Sequence, residues 1–309
     1  MMKRFHKRLI NNAPSNFGTT KCLFVKKLFL FIPIVLFSTN HLFAQEFFTT
    51  FFLGGANYKG DLGNLPFIYA NSKPAFGVGI NYELNSRMIL RADFMNGKVT
   101  GADALGGKNV ARNLSFRSNI SEFSIGFEYI LFDLYQYKVS PYVFVGVGKF
   151  RFNPFTRDKN GLSQNLYELN TEGQGFFEDR KPYKLTETAI PLGGGLQWAI
   201  SDNARIAVEV GVRYTTTDYI DDVSKTYADP VLLGQFSGGN AVRYAYRGGE
   251  LKDGVQAYPA TGSPRGNPGA NDLYFFSGIR YKVRLVPPRV SSKQLNKSRA
   301  RKTSCPHKY

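Results

Sequence analysis

The stretch AFGVGINYELNSRMILRADF, residues 75–94, decides the fold. From Phe76 onward every second residue is large and apolar (Phe76, Val78, Ile80, Tyr82, Leu84), and the residues between them are Gly77, Gly79, Asn81 and Glu83. A period of two marks a strand whose two faces meet different surroundings. Only Asn85-Ser86 then intervenes before Met88, Leu90, Ala92 and Phe94 alternate against Arg87, Arg91 and Asp93. Asn and Ser favour tight turns because their short side chains bond to the local backbone, so the stretch reads as an antiparallel hairpin.

The same period recurs along the chain from Glu46. Phe47, Thr49, Phe51 and Leu53 share one face of a run from Glu46 to Ala56, and Phe123, Ile125, Phe127 and Tyr129 oppose Glu122, Ser124, Gly126 and Glu128. Val143, Val145 and Val147 alternate with Phe144, Gly146 and Gly148 between Tyr142 and Phe152. Runs from Ile190 to Ile200, Ile206 to Tyr214 and Leu273 to Leu285 complete eight predicted strands. Each is about 10 residues, enough to cross a bilayer on a tilt. The links alternate: short at Asn85-Ser86, at Phe132–Val139 and at Ser201-Asp202, and long at about 57–74, 97–119, 153–187 and 216–271. This is the arrangement of an all-β, eight-stranded up-and-down transmembrane β-barrel with short periplasmic turns and long extracellular loops. A soluble β-sandwich would need a second face rich in Lys, Ser and Thr. The second face here carries Gly, small polar residues and both signs of charge, which suits a crowded lumen with an internal ion-pair lattice. A barrel of this size is filled by its own side chains, which argues against a general porin.

The 309 residues carry a formal charge of +17, which invites a nucleic-acid reading. Seven Lys or Arg and no acid lie in 1–44, and ten and no acid in 280–309, leaving 23 basic against 23 acidic side chains between. A neutral body is no nucleic-acid binder. With 15% aromatic residues and a mean hydropathy of −0.26, the chain is neither disordered nor a bundle of membrane helices. Lys26-Lys27, the apolar run Leu28 to Phe37 and Leu42-Phe43-Ala44 read as a secretory signal with cleavage after Ala44. Translation is expected to begin near Val25, since the preceding residues are unusual in such a leader. Cys22 lies before the cut, so the mature chain keeps Cys305 alone and forms no internal disulfide. The expected domains are therefore a leader over 1–44, an outer-membrane barrel over 45–286, and a basic, disordered periplasmic tail over 287–309.

Enzymes on small membrane barrels commonly use a His base, but His6, His41 and His307 all lie outside the predicted barrel. No catalytic residue and no cofactor is expected. Asp218, Asp221 and Asp222 could offer calcium hard oxygen ligands, although their spacing is not that of an EF-hand and loop carboxylates commonly pair with Arg. Gly193-Gly194-Gly195 precedes no helix and is no phosphate loop.

Six motifs are more specific than a generic barrel needs. They are GGANYKGDL at 54–62, RNLSFRSNISE at 112–122, SPYVF at 140–144 with Phe152-Asn153-Pro154, TEGQG at 171–175, IPLG at 190–193 and TDYIDDVS at 217–224. In this order they resemble the PorG-like outer-membrane barrel family associated with the type IX secretion system. The resemblance covers about 46–286 and leaves aside the leader, the tail and the length of the fourth loop. It implies a non-enzymatic barrel in outer-membrane lipid that joins the secretion machinery, with the periplasmic ring subunits as partners. The shared loop motifs fall on Tyr58, Gly60, Asp61, Arg112, Phe116, Asp218, Tyr219, Asp221 and Asp222. Loop folding and Arg–carboxylate pairing at the rim are the expected role of these residues, ahead of direct partner contact. The rival function is a surface barrel whose long loops bind a ligand or host molecule.

Overall fold

The computed structural model describes residues 46–63, 72–105, 109–158 and 160–285. Eight long strands build the barrel: β1 (Glu46–Lys59), β2 (Lys73–Glu83), β3 (Met88–Ala102), β4 (Ser115–Ile130), β5 (Val139–Arg151), β8 (Thr186–Ser201), β9 (Ala204–Thr215) and β10 (Leu273–Arg284). A short hairpin, β6 (Pro154–Arg157) and β7 (Ser163–Asn165), rises from the β5–β8 loop, and β6 extends the sheet beside β4. Strand order is β3-β2-β1-β10-β9-β8-β5-β4, and β3 pairs with β4 to close the ring. Every pairing is antiparallel, and Phe51 sits level with Val78 on one side and Tyr281 on the other. The up-and-down barrel predicted from the period-two runs is the fold observed. The expected leader and tail lie outside the described residues.

Tight turns join the strands at one end. Between β2 and β3, Asn85 Oδ1 accepts hydrogen bonds from the amides of Arg87 (2.9 Å) and Met88 (2.8 Å). Asp133 does the same for Tyr135 at 2.9 Å in the β4–β5 turn. The four long loops gather at the other end.

The barrel wall has two zones. In the lower zone Phe51, Val78, Phe94, Phe127, Val145, Leu192, Val208 and Ile279 point outward and are exposed, forming a belt that only a hydrocarbon phase would cover. The inward positions there hold Arg91, Asp93, Glu128, Glu209, Arg280 and Lys282, all buried. In the upper zone the chemistry of the faces exchanges. Met95, Val99, Phe116 and Ile120 turn inward and are buried, while Lys98, Arg117 and Asn119 face outward. β4 therefore begins at Ser115, well before the predicted start near Glu122, and the second long loop shrinks to 103–114.

Three cations and three carboxylates fill the lower lumen. Arg280 donates to Glu209 from Nε (2.9 Å) and Nη2 (2.8 Å), and to Asp93 at 2.7 Å. Arg91 spans Asp93 (2.7 Å), Glu128 (3.3 Å) and Glu209 (3.2 Å), with its guanidinium 4.2 Å from the Phe144 ring centre. Lys282 closes the set on Glu128, and the Tyr142 hydroxyl donates to Glu209 at 2.8 Å. Glycines make room for this lattice: a Cβ on Gly79 would lie 2.2 Å from Asp93 Oδ1, and one on Gly211 would lie 2.7 Å from the Phe144 ring. A void of about 10 Å³ beside Pro191, Arg91 and Asp93 is at the threshold for a single water.

Candidate functional site: the closed extracellular mouth

All nine residues singled out from the sequence converge on the loop end of the barrel. Tyr58, the penultimate residue of β1, is buried, packs edge-on against Phe116 with ring centres 4.7 Å apart, and points its hydroxyl into the loops. That hydroxyl lies 2.6 Å from Asp221 Oδ2 and 2.8 Å from Asp272 Oδ1. It carries one proton and can donate to only one carboxylate. The other contact is a hydrogen bond only when that carboxyl brings a proton of its own, so the pair holds a proton. The remaining oxygens accept backbone amides, Asp221 Oδ1 from Val223 at 2.9 Å and Asp272 Oδ2 from Ile220 at 2.8 Å. Gly60 lets the chain pass this close: its Cβ would fall 1.9 Å from Asp272 Oδ1 and 2.0 Å from the Tyr58 hydroxyl.

Arg112 forms the second node. It grips Asp103 through Nε (3.0 Å) and Nη2 (2.7 Å) and donates to the carbonyls of Asp61 (3.1 Å) and Arg265. Asp61 turns its carboxylate to the amide of Asn267 at 2.8 Å, tying the first long loop to the fourth. Arg265 is the third node, donating to Glu172 (2.9 Å) and to the carbonyl of Asp222 (2.5 Å). Glu172 also accepts the amides of Ser224 (2.9 Å) and Lys225 (3.1 and 3.2 Å) and lies 3.3 Å from the Tyr219 hydroxyl. Asp222 adopts a left-handed backbone with φ of 66° and accepts the hydroxyls of Thr171 (2.6 Å) and Tyr183 (2.8 Å). Around these groups pack Leu62, Leu114, Ile220, Val223, Leu233 and Tyr244. Leu233 is presented by α1 (Pro230–Ser237), whose N-cap Asp229 accepts the amides of Val231 and Leu232, and Tyr244 by α2 (Gly239–Ala245).

Burial governs the acidity of this end. It pushes the Asp218 carboxyl up to about 8 and the Asp221 carboxyl to about 7, each partly offset by a hydroxyl donor, Ser224 and Tyr58 respectively. Asp272 is also raised well above the carboxylate range, first by burial and then by the charge of Asp221. Asp222 rises to about 6, the charge of Arg265 opposing its burial. Asp218 Oδ2 is buried with no hydrogen-bond partner among the described residues, a position that disfavours the charged form.

The calcium reading of 217–224 does not match this geometry. Asp221 turns to Tyr58, and Asp222 to Thr171 and Tyr183. Among the described residues no three His, Cys, Asp or Glu side chains are placed to hold a metal ion. Sequence reasoning missed Asp103, Glu172, Arg265 and Asp272. Glu172 lies in the TEGQG motif and was legible there, whereas nothing local marks Arg265.

A closed antiparallel ring of eight strands, apolar outside, ion-paired inside and capped by its loops, has the fold of an outer-membrane β-barrel. Residues 26–241 match the model of a family described as "Domain of unknown function (DUF6089)", and the chain belongs to that family. No curated protein matches the sequence. Among solved structures the chain is similar to Neisserial surface protein A, with TM-score 0.41, 10% identity, and 77% of this chain and 97% of that one covered. It is also similar to the attachment invasion locus protein Ail of Yersinia pestis, with TM-score 0.37, 11% identity, and 78% and 98% covered. A third is a major outer membrane protein from Thermus thermophilus, with TM-score 0.36, 14% identity, and 79% and 100% covered.

Proposed function

We propose that this barrel is a non-enzymatic structural component of the type IX protein secretion machinery, delivered to the outer membrane by a cleaved leader and bound to the periplasmic ring subunits. The observation that carries this reading is the closure of the molecule. The ion-pair lattice occupies the lumen, and the loop core occupies the mouth. A barrel so filled works by what its surfaces hold. The ordered motifs that resemble the PorG-like family support the choice of machine, and Tyr58, Gly60, Asp61, Arg112 and Asp221 serve in it by shaping the closed mouth.

Deletion of the gene, followed by proteomics of the medium and the periplasm, tests the proposal. Cargo should disappear from the medium and accumulate in the periplasm; unchanged secretion would refute it. A second reading, a surface barrel that binds a ligand, is favoured by a loop cavity of about 490 Å³ lined by Asn160, Arg243, Tyr246, Gln256 and Tyr258. Trypsin admitted to the periplasm separates the two, since a free binder exposes Arg87 and Lys138 at its turns while the ring subunits of an assembly shield them.

A further inference from the structure

Just above the apolar belt, the outer face of β3, β4 and β5 changes character within one residue pair. Phe94 and Phe123 face each other across β3 and β4, and Lys149 sits level with Phe123 on β5. One pair higher come Asn96, Ser121 and Arg151; then Lys98 opposite Asn119; then Thr100 opposite Arg117. Four cations thus share one patch on adjacent strands about 4.8 Å apart, rising about 3.3 Å per residue. A strand tilt of about 40° places Lys149, Arg151 and Lys98 within roughly 10 Å of the last aromatic pair along the membrane normal and Arg117 within roughly 15 Å, in the headgroup zone on the loop side.

Two features separate this patch from the scattered cations that flank any membrane segment. The first is its density: at the matching height β9 and β10 face outward with Tyr214, Leu273 and Ser277, and β1 adds the single cation Lys59. The second is that its charge is unanswered. No outward position of β3, β4 or β5 is Asp or Glu. Among the described residues, Lys98, Arg117, Lys149 and Arg151 make no ion pair, while the inward cations Arg91, Arg205, Arg213, Arg280, Lys282 and Arg284 all do. A groove of about 620 Å³ lined by Asn96, Lys98, Arg117, Asn119 and Lys73 opens on the same face.

We propose that this face binds the phosphorylated sugar headgroup of an outer-leaflet glycolipid. Guanidinium groups take phosphate oxygens in pairs and lysines add point charge. The amides of Asn96 and Asn119 suit sugar hydroxyls, and Phe94 and Phe123 below them meet the acyl chains. The groove exceeds what a bare phosphate needs, and its continuity with the lipid-facing belt selects a membrane-borne ligand.

The test uses the full chain in phosphatidylcholine nanodiscs doped with bisphosphorylated lipid A or with its dephosphorylated form, with bound lipid counted by native mass spectrometry. The phosphorylated form should be retained about tenfold or more over the dephosphorylated one, less so at high salt, and millimolar inorganic phosphate should not displace it. The variant K98A/R117A/K149A/R151A should lose that preference and keep its heat-modifiable migration, while R87A/K138A, which removes cations from the turn end, should retain it. Equal retention of both lipids by the native chain, or an undiminished preference in a folded quadruple variant, would overturn the proposal. So would displacement by free phosphate, which would assign the patch to a soluble anion. Should the quadruple variant fail to fold, the comparison of the two lipids on the native chain and R117A/R151A decides.

Discussion

Raising the pH should loosen the mouth without unfolding the barrel. Asp221 and Asp272 flank the Tyr58 hydroxyl at 2.6 and 2.8 Å, and among the described residues no cation contacts either; the charge of Asp61 raises Asp221 and that of Arg112 opposes it, while the charges of Asp221 and Asp218 raise Asp272. A carboxyl whose folded-state pKa is raised binds its proton more tightly in the closed loops than in the opened chain. Its contribution is full below about pH 4 and is lost as the pH rises through the folded value, about 7 for Asp221. At about 1.4 kcal/mol per unit of pKa, a displacement from 3.8 to about 7 is worth at most about 4 kcal/mol, and the proton is shared by the pair. Asp218, likewise buried and raised to about 8, acts in the same direction. The opening equilibrium of the loops should therefore rise by roughly 30-fold or more between about pH 5 and pH 9. Hydrogen exchange of peptides covering 54–63 and 217–224, corrected for base catalysis, reads this directly, with β9 as the internal standard. Asp272→Asn should flatten the dependence. Protection that is the same at both pH values, or a slope that survives Asp272→Asn, would refute the shared proton.

Other consequences can be tested on the same material. Arg280→Met leaves Glu209 and Asp93 short of their principal partner in the lumen and should cost about 3–5 kcal/mol in urea unfolding from lipid vesicles; adding Glu209→Gln should recover part of that loss. Gly60→Ala drives a methyl into Asp272 and Tyr58 and should open the mouth to trypsin at Lys225 while leaving the heat-modifiable barrel intact.

How much was legible follows from which face the apolar residues occupy. In β2 the apolar set stays outward from Phe76 to Tyr82, and a period-two reading finds the whole strand. In β4 it stays outward only from Phe123 to Tyr129; above Glu122 the large apolar residues are Ile120 and Phe116, which face inward to roof the lumen. The period is unbroken, but the apolar phase flips, so the alternation looks like its own end. That flip marks where the wall leaves hydrocarbon. The site was legible for a related reason. Turn-forming residues with both signs of charge, such as those of GGANYKGDL and TDYIDDVS, must pair when loops pack upon themselves. Which Arg meets which acid was not legible, because Arg265 reaches Glu172 across 93 residues of sequence, while Arg112 pairs with Asp103 only nine residues away and spends its other donors on the carbonyls of Asp61 and Arg265.

The charge balance of the body leads to one more measurement. Residues 45–279 are neutral, but the lumen draws Arg280 and Lys282 from beyond them, so the barrel through Leu285, which also includes Arg284, carries a formal charge of +3. Several of its carboxylates sit in the mouth, where burial raises Asp218 to about 8 and lifts Asp272 as well. At about pH 6.5 these acids hold protons in the folded chain and have lost them in the unfolded one, so folding should take up about two protons. The folded barrel then gains about two positive charges over its formal +3. Refolding from urea into unbuffered detergent, with the released base titrated, measures the uptake. Asp218→Asn and Asp272→Asn should each remove about one proton from it, and refolding with no change in pH would mean that these carboxylates are ionised and that the mouth holds its charge by other means.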